Sequence, residues 1–132
     1  MDLDDLAARL EDAADRVAPT IARNVRREAE HLRDDIRSNA SGRPGPNVIT
    51  GDYRSSWRVA PFAVSGGGGA TVGTDRPQGR RLEFGFWDMT DSLGRHYFQP
   101  PYPHVEPAVS ALGPRIQAAL RTAAGEILRG DA

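Results

Sequence analysis

Between Leu3 and Asn39 apolar residues recur every three or four positions, at Leu3, Leu6, Leu10, Ala13, Val17, Ile21, Val25, Ala29, Leu32 and Ile36. That spacing places them along one side of an α-helix and of no other regular structure. A continuous helix over this span would be roughly 55 Å long at 1.5 Å per residue. Asp4 and Asp5 suit the positive end of such a helix, and the run from Ser38 to Gly45 supplies a stop. Pro19 removes a backbone donor and crowds the preceding turn, which predicts a kink or two shorter helices meeting there. So long an apolar stripe needs cover, and the chain's own sheet is the expected one, ahead of a coiled-coil partner.

The rest of the chain can supply that sheet. Ala40–Asn47 is rich in Gly and Pro and reads as a loop. Thr50 offers an N-cap for a single turn. Ser56–Val64 then alternates as a strand carrying Trp57, Val59, Phe62 and Val64, with Pro61 confining it to an edge or a bulge. The four glycines Gly66–Gly69 read as a flexible hairpin tip leading to a second strand, Ala70–Thr74. They do not read as a phosphate loop, since no Lys-Ser or Lys-Thr follows them. Pro77–Phe84 predicts a short helix or turn, in which charge at Arg76, Arg80 and Arg81 gives way to Leu82, Glu83, Phe84 and Gly85. Glu83 lies between two large apolar residues, so it is expected to be a partly buried carboxylate with a partner.

Phe86–Gln99 is long for a connection and holds Trp87, Met89, Leu93, Tyr97 and Phe98 around a turn at Asp91, Ser92 and Gly94. It is expected as an aromatic loop that docks on a neighbouring copy, with part of Gly85–Phe98 adding a strand to the sheet. Pro100, Pro101 and Pro103 extend the chain towards a final helix opened by Glu106 and Pro107. Val109, Leu112, Ile116, Leu120, Ile127 and Leu128 mark its expected buried stripe, Gly113-Pro114 a bend and Gly130 its end. The fold class that follows is α+β, a small antiparallel sheet against a long N-terminal helix and a bent C-terminal helix. One domain is expected over 1–132, made of a helical arm (1–39), a Gly/Pro loop (40–49), a β-hairpin core with its aromatic loop (50–104) and the last helix (105–130).

Composition limits the functions open to such a chain. It has no cysteine, so disulfides and cysteine-ligated metals are excluded. No apolar run approaches the roughly 20 residues of a membrane span, and the acidic start is unlike a signal peptide, so no membrane association is expected. All 17 basic residues are arginine and the net charge is −1. A near-neutral total argues against a dedicated nucleic-acid binder. The charge is nevertheless segregated: residues 1–22 carry six acids against Arg9 and Arg16, whereas 23–58 carry eight arginines against five acids. Such segregation suits head-to-tail contacts between copies, though a solvated helix face is the plainer reading.

Candidate chemistry is sparse. His96 and His104, with Asp88, Asp91 and Glu106 nearby, match no metal-ligand spacing, and His104 is expected to hydrogen-bond within the proline turn. No Gly-x-Ser-x-Gly elbow is present. Asp34 and Asp35 are adjacent on a helix and point to different sides. No catalytic residue, cofactor or metal is therefore expected.

Several short motifs fall in an order of their own. Thr50-Gly51 leads into Ser55, Ser56, Trp57, Arg58 and Val59; Ala70–Gly85 ends in Leu-Glu-Phe-Gly; Pro101-Tyr102-Pro103-His104 leads into Glu106-Pro107-Ala108. From Thr50 to the C-terminus this order resembles the neck proteins of long-tailed bacteriophages, called head-to-tail connector, tail-completion or minor tail components. The chain departs from the pattern at Gly79, Arg80 and Arg81, where relatives carry an aromatic residue or alanine. The resemblance implies a structural virion protein, not an enzyme, that forms a cyclic homo-oligomeric ring in the head–tail neck and joins or completes the connection between portal and tail tube. It implies self, portal or connector, and tail proteins as partners, with DNA passing through the lumen without sequence-specific binding. It places the chain in the virion, and in host cytoplasm during assembly. On this reading the subunit or partner interface comprises Arg76, Arg80, Arg81, Glu83, Trp87, Tyr97, Phe98 and Tyr102. Two other classes would leave different marks. A small DNA-binding protein would use Arg23, Arg26, Arg27, Arg33 and Arg37, interrupted here by Glu28, Glu30, Asp34 and Asp35; a hydrolase would need His96 and His104.

Overall fold

The expected helical stripe forms helix α1, Leu3–Asn39, which runs unbroken through Pro19 in a computed structural model describing residues 2–130. Of the two outcomes expected at Pro19, a kink or two shorter helices, the second is not met. A proline ring costs one hydrogen bond and local crowding, and the turns on either side keep the helix going. After the Gly/Pro loop come α2 (Asp52–Ser55), β1 (Arg58–Val64), β2 (Gly67–Gly73), α3 (Gln78–Phe84), β3 (Phe86–Thr90), β4 (His96–Gln99) and α4 (Glu106–Arg129). The class is α+β, as read from the sequence. The strands pair as two separate two-stranded sheets, β1 with β2 and β3 with β4. The 86–99 region therefore builds its own hairpin instead of lengthening the first sheet.

The chain divides into two compact units. One comprises residues 1–31, 59–71 and 112–132; the other comprises 32–58 and 72–111.

In the first unit, α1 and α4 are joined by polar contacts. The Arg16 guanidinium donates to the Ile127 carbonyl from Nε (3.1 Å) and Nη2 (2.7 Å). Glu126 receives Arg23 at 3.1 Å and Asn24 Nδ2 at 3.3 Å, and these donors hold its carboxyl below the usual glutamate range. The α1 face turned inward here carries Thr20 and Asn24 as well as Ala29. On α4 it is Ala123 that is buried, while Ile116 and Leu120 of the expected stripe are exposed, Leu120 to 62%. The small side chain allows close approach, and the larger residues are left facing outward. Three of the four glycines once read as a flexible tip lie in strand β2, and the connection is only Ser65-Gly66. The reason is proximity: a Cβ built on Gly68 would sit 2.8 Å from the Ala22 Cβ and 2.9 Å from its Cα. These glycines let the strand lie against α1.

In the second unit the core is Ile36, Trp57 and Ala108, with Leu32, Tyr53, Val72 and Val105 packed around it. Trp57 is not a strand residue, because β1 begins one position later. Arg37 fixes the segment before the strand by donating from Nη2 to the carbonyls of Ser55 (3.2 Å) and Trp57 (2.5 Å). The single turn α2 is capped by Gly51, and Thr50 contributes only a side-chain acceptor for the Asp52 N–H.

The close approach at Gly68 gives a test. Gly68→Val should destabilise the protein by about 2 kcal/mol through overpacking against Ala22, read as a lower urea midpoint by circular dichroism. An unchanged midpoint would show that the strand can lift off the helix without cost.

Candidate assembly interface

Leu82, Glu83 and Gly85, at the end of α3 and its exit, hold the chain that leads into α4. The Leu82 carbonyl accepts the Tyr102 N–H at 2.7 Å. Glu83 Oε2 accepts the N–H groups of His104 (2.8 Å) and Val105 (2.9 Å), and Oε1 accepts that of Glu106 (2.9 Å). Those amides form the start of α4, where a helix has unpaired donors and the positive end of its dipole. Glu83 thus serves as an N-cap supplied from a distant part of the sequence. Gly85 then turns the chain at φ 71°. A side chain there would meet the Gln99 carbonyl oxygen at 2.5 Å and Pro101 N at 2.8 Å, so only glycine fits.

His104 is fully buried beside this cap. Its Nδ1 lies 2.9 Å from both the Tyr102 carbonyl and Glu83 Oε2. Both of these are acceptors, so Nδ1 carries the proton, and in the neutral ring Nε2 accepts from the Tyr53 hydroxyl at 2.6 Å. Tyr53, Trp57 and His104 meet edge to face, with centroids 5.6 to 6.3 Å apart. Burial is the main reason that the Tyr53 hydroxyl is pushed up to about 12, with the Glu83 charge adding to it. Burial also pushes the Glu83 carboxyl up, but three backbone donors and His104 outweigh it and leave the group below its ordinary value. The expectation that Glu83 is buried and partnered is met. Its partners are backbone amides and His104, so its carboxylate is engaged inside the unit.

Of the other residues expected at an interface, Arg76, Arg80, Arg81, Trp87, Tyr97 and Phe98 lie outward and Tyr102 is half-buried. Arg76, Arg80 and Arg81 are exposed, and Arg80 and Arg81 have no carboxylate partner among the described residues. Trp87 is 77% exposed and Phe98 55%, yet their rings stack on each other with centroids 4.3 Å apart. They stand on the β3–β4 hairpin, which pairs Phe86 with Gln99, Met89 with Tyr97 and Thr90 with His96. The register slips between Phe86 and Met89, and Asp88 in that bulge has φ 54°. Bulges bend a strand and re-aim its side chains. Asp91 ties the turn, accepting from the backbone of Leu93 and Arg95, from the Arg95 guanidinium at 2.7 Å and from the Tyr97 hydroxyl at 2.9 Å. Tyr102 is half-buried under the Arg43 guanidinium, 3.8 Å from its ring centre. Phe84, one of the two large apolar residues that flank Glu83 in the sequence, is exposed.

The histidines serve separate ends. His96 lies on the hairpin surface paired with Asp88, whereas His104 is internal. The five arginines of α1 that a DNA-binding reading would use are engaged locally: Arg23 with Glu126, Arg26 with Glu30, Arg27 with Asn24, Arg33 with Asp34 and Arg37 with backbone carbonyls.

A known protein family, described as "Bacteriophage HK97-gp10, putative tail-component", matches residues 4–85, more than half of the chain. The chain belongs to this family. The match to this phage tail-component family runs from the first turn of α1 to Gly85, and so includes Glu83 and the whole of α3. It supports a structural role in the virion, as the motif order from Thr50 onward implies. No curated protein and no solved structure matches the chain.

Because Glu83 is depressed in the folded state, its contribution to stability is complete above the unfolded glutamate range and is lost as pH falls through its folded pKa. Glu83→Ala should cost roughly 3 to 5 kcal/mol at neutral pH, since it strands buried donors. Glu83→Gln should remove part of the acid-induced fall in the urea midpoint. A Glu83→Gln profile parallel to that of the parent would contradict the assigned cap.

Proposed function

We propose that this tail-component protein is a structural, non-catalytic element of the phage neck, in which copies assemble as a cyclic ring between the portal or connector and the tail tube. Residues 1–132 act in this as one assembling domain. The observation that carries the reading is the hairpin 86–99, braced at its base by Gly85 and at its turn by Asp91, presenting Trp87 and Phe98 to solvent. Large exposed apolar groups on a fixed frame are characteristic of surfaces that bind other proteins. The arginines at 76, 80 and 81 lie on α3 and its lead-in. They give a basic surface for acidic groups of neighbouring virion proteins, or for the phosphates of DNA passing through the lumen without reading its sequence. A ring needs two different patches that meet when copies repeat around an axis. The aromatic hairpin provides one of them.

Trp87→Ala combined with Phe98→Ala should leave helix content unchanged by circular dichroism and reduce incorporation into particles at least about tenfold, as expected on losing aromatic anchors. Normal incorporation would remove the hairpin from the interface. Reversing Arg80 and Arg81 to glutamate should impair joining while the urea midpoint stays within about 0.5 kcal/mol of the parent. A collapse of stability would make these arginines structural.

A further inference from the structure

The second unit contains an open groove of about 600 Å³ that neither the hairpin nor the Glu83 brace explains. Val48 and Ile49 lie in its wall, and Ile49 is 93% exposed. Arg43, Arg54 and Arg76 line it as well. Asp52 is the acid among the lining residues, so arginine is in excess there. Arg43 donates to the Gly45 carbonyl and lies over the Tyr102 ring, Arg54 donates to the Ser41 hydroxyl, and Arg76 is ion-paired at the exposed rim with its neighbour Asp75 at 3.7 Å. A surface that combines exposed branched apolar groups with three arginines against one lining acid fits a segment that is both apolar and acidic.

The same chain carries such a segment. The first turns of α1 expose Leu3, Leu6 and Leu10, with Leu3 82% exposed. Their spacing puts them along one side of the helix. Asp2, Asp4, Asp5, Glu11, Asp12 and Asp15 surround them against the single positive charge of Arg9. The helix is capped at its start, where the Asp5 N–H donates to Asp2 Oδ1 at 2.8 Å.

We infer that the acidic, leucine-bearing first turns of α1 of one copy dock into the arginine-lined groove at Val48 and Ile49 of a second copy. This rests on the reading that copies assemble, and it supplies that reading with a heterologous contact in which each chain offers one arm and one groove. Leucines from the arm cover Val48 and Ile49, while its aspartates meet Arg43, Arg54 and Arg76. The contact has a polar rim and should therefore weaken with salt.

The absence of cysteine allows a direct test. A Leu6→Cys chain is mixed with a tagged Ile49→Cys chain and oxidised, alongside a control with Ala8→Cys, which lies on the other side of the helix. The Leu6 pair should give at least about tenfold more disulfide heterodimer than the Ala8 pair. Adding Arg54→Glu and Arg76→Glu to the Ile49→Cys chain should remove the excess, and adding Asp4→Arg and Asp5→Arg to its partner should restore it. Equal yields from Leu6 and Ala8, with the parent chain still sedimenting as an oligomer, would overturn this contact and leave assembly standing. Equal yields with a parent chain that remains monomeric would overturn both. If the groove reversals instead abolish retention on a DNA column without changing the yield, the groove takes phosphates and the inference fails.

Discussion

The second unit depends on one carboxylate. Glu83 gathers three successive amides at the start of α4 with its two oxygens, and the chain between them, from Gly85 to Pro103, is thereby closed into a loop with fixed ends. Closing a loop of that length carries an entropic cost. Charge-assisted hydrogen bonds in a buried setting are among the interactions strong enough to offset it. The same closure fixes the base of the β3–β4 hairpin, so the position of Trp87 and Phe98 follows from the cap. His104 and Tyr53 extend the brace to the Trp57 core, which explains why a buried histidine occupies a proline-rich turn without any catalytic partner.

Much of this was legible in the sequence. The 3.6-residue period gave α1 its length, because the period does not depend on what covers the helix. A carboxylate between Leu82 and Phe84 signalled a buried partner. Its identity was hidden, since backbone amides at the start of a helix 21 residues away leave no side-chain signature. The sequence at 86–99 reads as an aromatic loop that adds one strand to the first sheet, with turn residues at Asp91 to Gly94, and not as a separate hairpin. The bulge at Asp88 breaks the two-residue alternation that marks a strand. The stripe of α4 misled for another reason: periodicity shows which residues share a face, not which face is covered. The buried positions are Ala108 and Ala123, and Val109, Ile116 and Leu120 are left outside.

Those outward residues are as much a part of the structure as the buried ones. A chain of 132 residues has little apolar material to spare. Here Leu3, Leu10, Trp87, Phe98 and Leu120 all stand in solvent. In a protein that works alone this would be a liability for aggregation. In a phage tail-component protein it is the expected state of a part before assembly, with the cover supplied by neighbours. The glycines of β2 and the cap at Glu83 hold the frame while leaving those surfaces free.

The central claim is that this frame serves the junction between head and tail. The most direct measurement is electron microscopy of particles from a phage in which this gene is interrupted. DNA-filled heads beside separate, unattached tails are the predicted result. Intact, joined virions would contradict it.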